Sequence, residues 1–83
     1  MPPITVPICR NFTAPPGATI IWTNIPPSGC TLTGAPGSGW PFKPSPPIVL
    51  PTPYGVEIKA GLAPGSYPVI ATCCPKPIIV TIT

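Results

Sequence analysis

Apolar side chains recur at every second position in short runs along this chain, and proline or glycine closes each run. Ile4, Val6 and Ile8 alternate with Thr5 and Pro7, the period of two that sets alternate side chains on opposite faces of a strand. This predicts a first strand from Met1 to Cys9. Its prolines cannot donate to a ladder, which confines residues 1–10 to a sheet edge or to a free N-terminal arm. Arg10 to Gly17 closes on Ala14-Pro15-Pro16-Gly17, a turn in which proline presets φ and glycine supplies a positive one. Ala18-Thr19-Ile20-Ile21-Trp22-Thr23-Asn24 is β-branched and aromatic almost throughout and forms the strongest strand of the sequence.

Ile25 to Gly29 is a Pro-Pro-Ser-Gly loop that feeds Cys30-Thr31-Leu32-Thr33, a short third strand. Gly34 to Pro47 carries glycines and prolines on both sides of Trp40 and Phe42. A connection of this length pinned by two aromatics is either functional or an interface. Ile48-Val49-Leu50 is a brief strand, Pro51 to Gly55 turns the chain, and Val56-Glu57-Ile58-Lys59-Ala60 alternates with one apolar and one wet face. Leu62-Ala63-Pro64-Gly65 repeats the earlier turn type and leads into Ser66 to Thr72; Ile78 to Ile82 closes the sheet. With 18 prolines, no stretch of about a dozen residues keeps a 3.6-residue apolar period, so helix is excluded. The expectation is one all-β domain over residues 1–83, a small two-sheet Greek-key sandwich of about seven strands.

Composition sharpens the picture. The 83 residues include only five charged ones, Arg10, Lys43, Glu57, Lys59 and Lys76, 6% of the chain against 43% hydrophobic; soluble domains carry about 25% charge. So little charge leaves a surface prone to associate. A net charge of +3 from scattered cations is too thin for a nucleic-acid footprint, which needs clustered Lys and Arg. No run reaches the 18 or so unbroken apolar residues of a transmembrane helix. Met1-Pro2-Pro3 has neither the basic start nor the apolar stretch of a signal peptide, so a leader has been removed or export follows another route. No enzyme is expected: histidine is absent, Glu57 is the one acid and a solvent-facing one, and no nucleophile elbow or phosphate-cradling glycine loop occurs. Asn11-Phe12-Thr13 fits the N-glycosylation pattern. Trp22 belongs in the core, whereas Trp40 either caps the sandwich or forms a contact.

The chemistry therefore rests on sulfur. A chain of this size buries only about 60% of its unfolded surface, and domains so small need disulfides, a metal or a partner subunit. Cys9, Cys30, Cys73 and Cys74 allow three intrachain connectivities, and four cysteines without a C-x2-C pair point to an oxidising, extracellular or cell-surface destination. Cys73 and Cys74 sit on a corner stiffened by Pro75. If the corner is near-extended, one sulfur faces the core and the other faces out. Lys76 beside them would lower a neighbouring thiol's pKa or is merely solvated.

Phe12-Thr13-Ala14-Pro15-Pro16-Gly17-Ala18-Thr19-Ile20-Ile21-Trp22-Thr23-Asn24, the later Leu62-Ala63-Pro64-Gly65-Ser66-Tyr67 and the cysteine-proline corner resemble the cupredoxins, the small blue-copper sandwiches of the plastocyanin kind. The resemblance covers roughly residues 12–83. It implies a cupredoxin-like fold in which Cys30 stands where the family's first histidine follows the Trp-Thr-Asn strand. Cys73 and Pro75 match the later cysteine and proline, and Lys76 replaces the second histidine. The family's methionine has no counterpart, because Pro77 runs straight into the last strand, and the longer spacing from Tyr67 lets Cys73 and Cys74 exchange roles. A blue-copper centre needs two imidazoles and a thiolate, so type-1 copper is excluded and no cofactor is expected.

The same resemblance implies that Cys30 and Cys73, in the old ligand places, are neighbours joined by a disulfide closing roughly 44 residues, worth about 4 kcal/mol in the chain-entropy view. Cys9 and the remaining vicinal cysteine then pair within the chain, or the arm carries Cys9 to a neighbouring subunit and makes a covalent polymer, or both stay free. A metal alternative places Cu(I) or Zn(II) on Cys30, Cys73 and Cys74. The expectation is a structural, self-associating extracellular protein, a disulfide-stabilised subunit of a fibre, pilus-like filament or sheath. Its interface candidates are Pro2, Pro3, Ile4, Trp40 and Phe42, and its partner is another copy of itself. The alternatives are a cupredoxin-derived copper(I)-handling or thiol redox module, and a small adhesion module that binds through the Gly34 to Pro47 loop.

Overall fold

The computed structural model of the chain describes residues 3–52 and 55–83; Pro2, an interface candidate, lies outside them. The described chain is all-β. Its strands are β1 (Ile4–Pro7), β2 (Phe12–Ala14), β3 (Thr19–Thr23), β4 (Cys30–Gly34), β5 (Ile48–Leu50), β6 (Val56–Glu57), β7 (Gly65–Ala71) and β8 (Ile78–Ile82). They form a three-stranded sheet in the order β1-β3-β6 and a five-stranded sheet in the order β2-β8-β7-β4-β5.

The strands fall where the alternation puts them, with two differences. Phe12–Ala14, read as the lead-in to a turn, pairs parallel with β8 through Phe12↔Val80 and Ala14↔Ile82. Three residues are too few to show a period of two, so this eighth strand had no signal of its own. Conversely, Val56 to Ala60 is strand only over Val56–Glu57, and Ile58 continues as an isolated antiparallel bridge to Phe42. The long connection is thereby drawn against the edge of β6, with the Lys43 N–H donating to Glu57 O at 2.8 Å and the Lys59 N–H to Pro41 O at 2.9 Å. Residues 1–10 do not form a free arm where they are described: β1 lies on the edge of the small sheet, parallel to β3.

Proline-glycine turns supply the corners. At Pro15-Pro16-Gly17-Ala18 the Ala18 N–H donates to Pro15 O at 3.3 Å, and Gly17 takes a φ of 82°, which a residue with a Cβ adopts only at a cost. Every second side chain of β3, β4, β7 and β8 turns inward, and Ile20, Trp22, Leu32, Val69, Ala71, Ile78, Val80 and Ile82 form one core with Phe42, Leu50, Val56 and Ile58 between the sheets. Among the described residues no polar or charged residue is buried there. Phe42 is 0% exposed and meets Trp22 and Trp40 edge to face at centroid distances of 5.4 and 5.3 Å. This corrects its assignment to an interface: the ring is shared core of both sheets.

Candidate functional site

Both disulfides gather at one end of the sandwich, and register explains the inner one. β4 and β7 are antiparallel with Leu32 opposite Ala71. One step on, the Thr72 N–H donates to Thr31 O at 3.0 Å, and one step further Cys30 faces Cys73. The Cα atoms are 5.2 Å apart and the sulfurs are bonded, a separation within the usual disulfide range. The Cys73 N–H points at Cys30 Sγ, 3.4 Å away.

The outer bond joins the two sheets. Cys9 follows β1 of the small sheet and takes a φ of 69°, which turns the chain off the edge. Its disulfide partner is Cys74, with Cα atoms 5.4 Å apart. Cys73 and Cys74 are not extended: the chain turns at Thr72, with the Cys74 N–H donating to Ala71 O at 3.1 Å. This corrects the inward-and-outward expectation. The turn breaks the strand's alternation, so both vicinal sulfurs lie half-buried against the core. Cys73 Sγ and Cys74 Sγ are 3.7 Å apart, and the sulfurs of Cys9, Cys73 and Cys74 all lie within 4.8 Å of one another.

All four cysteines are thus paired within the chain, and Cys9 reaches Cys74 rather than a neighbouring subunit. The sulfurs that converge across the two bonds are Cys9, Cys73 and Cys74, not the Cys30, Cys73 and Cys74 of the metal alternative. In the disulfide state none of them is a thiolate, the form in which sulfur binds a metal. Lys76 is exposed in the β7–β8 turn.

The other candidates are scattered. Pro3 is exposed and Ile4 half-buried, paired with Ile20. Trp40 is half-buried, and its Nε1 donates to Pro44 O at 2.6 Å, so the indole fastens the long loop onto the core. Asn11, in the glycosylation pattern, accepts the Ile79 N–H at 2.9 Å through Oδ1 and ties the approach to β2 onto β8. Beside β5 lies an open groove of about 390 Å³ lined by Pro44, Ser45, Pro47, Ile48, Val49, Pro51, Thr52 and Val56. Those residues offer shape and hydroxyls but no charge.

A second feature escaped the sequence reading. The outward positions of the five-stranded sheet are Thr13 beside Thr81, Thr81 beside Ser66, Ile79 beside Pro68, Ile70 beside Thr33, and Thr31 beside Val49. Not one is charged. Val49 is 64% exposed and Ile70 39%. The outward positions of the small sheet pair Thr5 with Ile21, Pro7 with Thr23 and Thr19 with Glu57, so Glu57 is the single charge there. Its carboxylate lies 3.6 Å from Lys43 Nζ. The signal was present in the sequence as threonine, isoleucine and valine at the alternate positions normally given to lysine and glutamate.

No protein-family model, curated protein or solved structure matches this chain.

Proposed function

We propose that this chain is a structural, self-associating subunit of an extracellular fibre, filament or sheath, stabilised by its two disulfides. The observation that carries the reading is the pair of broad, nearly uncharged sheet faces on opposite sides of one small body. Hydroxyl and methyl groups cost far less to desolvate than charges, and patches of this kind on a soluble monomer mark contact surfaces. The body measures 33 × 30 × 20 Å, so a broad face is on the scale of the roughly 800 Å² that each partner gives to a standard interface. Contact between the five-stranded face of one copy and the three-stranded face of the next joins unlike surfaces. Such a contact repeats without closing and produces a filament. Of the four cations, Lys43 is paired with Glu57, and Arg10, Lys59 and Lys76 lie outside the strands.

Two further points favour the reading. Paired cysteines are suited to an oxidising location, and among the described residues no helix is long and apolar enough to cross a membrane. The cupredoxin resemblance belongs to the same proposal: the Cys30–Cys73 bond is what a sandwich of that descent needs if a disulfide has taken the metal's place. Sedimentation velocity and light scattering at neutral pH, over a hundredfold range of concentration, test the assembly. Growth in size with concentration, without interchain disulfides on a non-reducing gel, is the expected result. A monodisperse monomer at millimolar concentration overturns it.

A further inference from the structure

We propose that Cys9 is a site of covalent modification by a small-molecule thiol, and that the inner disulfide absorbs the reaction. The proposal stands apart from self-assembly and rests on the order of the sulfurs. Cys9 is exposed, whereas Cys73 and Cys74 are half-buried and Cys30 is buried, so an incoming thiolate meets the outer bond at Cys9 Sγ. Its attack forms an R–S–S–Cys9 bond, breaks the bond to Cys74 and expels Cys74 as a thiolate. That thiolate is formed beside a second disulfide: Cys73 Sγ is 3.7 Å from Cys74 Sγ.

Attack there forms a Cys73–Cys74 bond, breaks Cys30–Cys73, and releases Cys30 as a thiolate that takes up the proton lost by the incoming thiol. Cys73 is the sulfur of the inner bond that joins Cys9 and Cys74 in the close trio, so Cys30 is the leaving group. Two disulfides are present before and two after, one thiol enters and one appears, and no external oxidant or reductant is consumed. The cross-link between the sheets is exchanged for a local one on the β7–β8 turn, and Cys9 keeps the entering group.

The test uses reduced glutathione at about one equivalent in oxygen-free neutral buffer, followed by acid quenching, maleimide blocking in denaturant, trypsin and non-reducing mass spectrometry. Cleavage at Arg10 and Lys59 separates Cys9, Cys30 and the Cys73-Cys74 pair onto different peptides. The expected products are a glutathionylated Cys9 peptide, a maleimide-labelled Cys30 peptide, and a Cys73-Cys74 peptide that carries no label and no partner. A Cys30 peptide still joined to Cys73 with the label on Cys74, or no adduct at all, overturns the proposal. In a Cys9→Ser/Cys74→Ser variant the inner bond should open at least about tenfold more slowly, because the internal nucleophile is gone; equal opening in a folded variant also overturns it. Should that variant fail to fold, the wild-type peptide map decides alone.

Discussion

Cys9 and Cys74, 65 residues apart in sequence, hold their Cα atoms 5.4 Å apart and bridge the two sheets at one end of the sandwich. The inner Cys30–Cys73 bond is nested inside that span. With the inner bond closed, the outer one closes a ring of only roughly two dozen residues, worth about 3 kcal/mol in the chain-entropy model. Cys9→Ala/Cys74→Ala should therefore lower the unfolding free energy by about 3 kcal/mol in urea titration while the inner bond persists. Removing all four sulfurs should cost about 7 kcal/mol, more than most domains of this size possess. A four-alanine variant with a cooperative transition near the wild-type midpoint would contradict this account.

Phe42 and Trp40 are two residues apart and do different things. Phe42 is 0% exposed and packs between Trp22 and Trp40, so Phe42→Ala should destabilise the domain by about 3–5 kcal/mol. Trp40 is half-buried, meets only the edge of the core through Phe42, and donates one hydrogen bond, to Pro44 O. Trp40→Ala should cost only about 1–2 kcal/mol and loosen the loop over residues 35–47 first, visible as faster amide exchange there. If the two substitutions cost the same, the long connection is not fastened as described.

The contrast also shows what the sequence could disclose. The β-branched and aromatic runs Thr19–Thr23 and Ile78–Ile82 marked both strands, and the prolines ruled out helix, so the all-β class was legible. The burial of Phe42 was not: its inward direction comes from a bridge to Ile58, sixteen positions along, that no local pattern encodes. The turn at Thr72 was hidden for a similar reason, since a cysteine pair before proline is compatible with an extended or a turned backbone. The pairing of Cys30 with Cys73 could be expected from the cupredoxin resemblance. The pairing of Cys9 needed the parallel alignment of β1 with β3, a non-local relationship.

Gly29 tests the turn that leads from β3 into β4, where it abuts the end of β5. It has a φ of 82°, and a Cβ there would lie 2.9 Å from the Leu50 carbonyl oxygen. Because the obstacle is backbone, the chain must move. Gly29→Ala should cost about 2 kcal/mol or more by combining left-handed strain with that clash, whereas Gly17→Ala, at the same φ but with open space around it, should cost nearer 1 kcal/mol. Thermal unfolding of the two variants side by side checks the order; a reversed order would mean that the Leu50 carbonyl yields freely.

Charge on the two sheet faces should control assembly in opposite directions. Thr33 and Ile70 face each other on the outer side of the five-stranded sheet, and a lysine at either position puts an ammonium group where the next copy must dry the surface. Thr33→Lys should shift the onset of association to at least about tenfold higher concentration, the equivalent of roughly 1.4 kcal/mol per contact. Lys43→Gln together with Glu57→Gln removes the ion pair of the opposite face and should shift the onset the other way. The Glu57 ion pair with Lys43 is exposed on both sides, at 53% and 73%, and such pairs contribute at most about 1 kcal/mol, so the folded state should survive either change. Light scattering against concentration reads both effects, and urea midpoints within the error of wild type separate them from unfolding. If both variants associate like wild type, the sheet faces are not the contact, and the edges of β5 and β1 become the surfaces through which copies must meet.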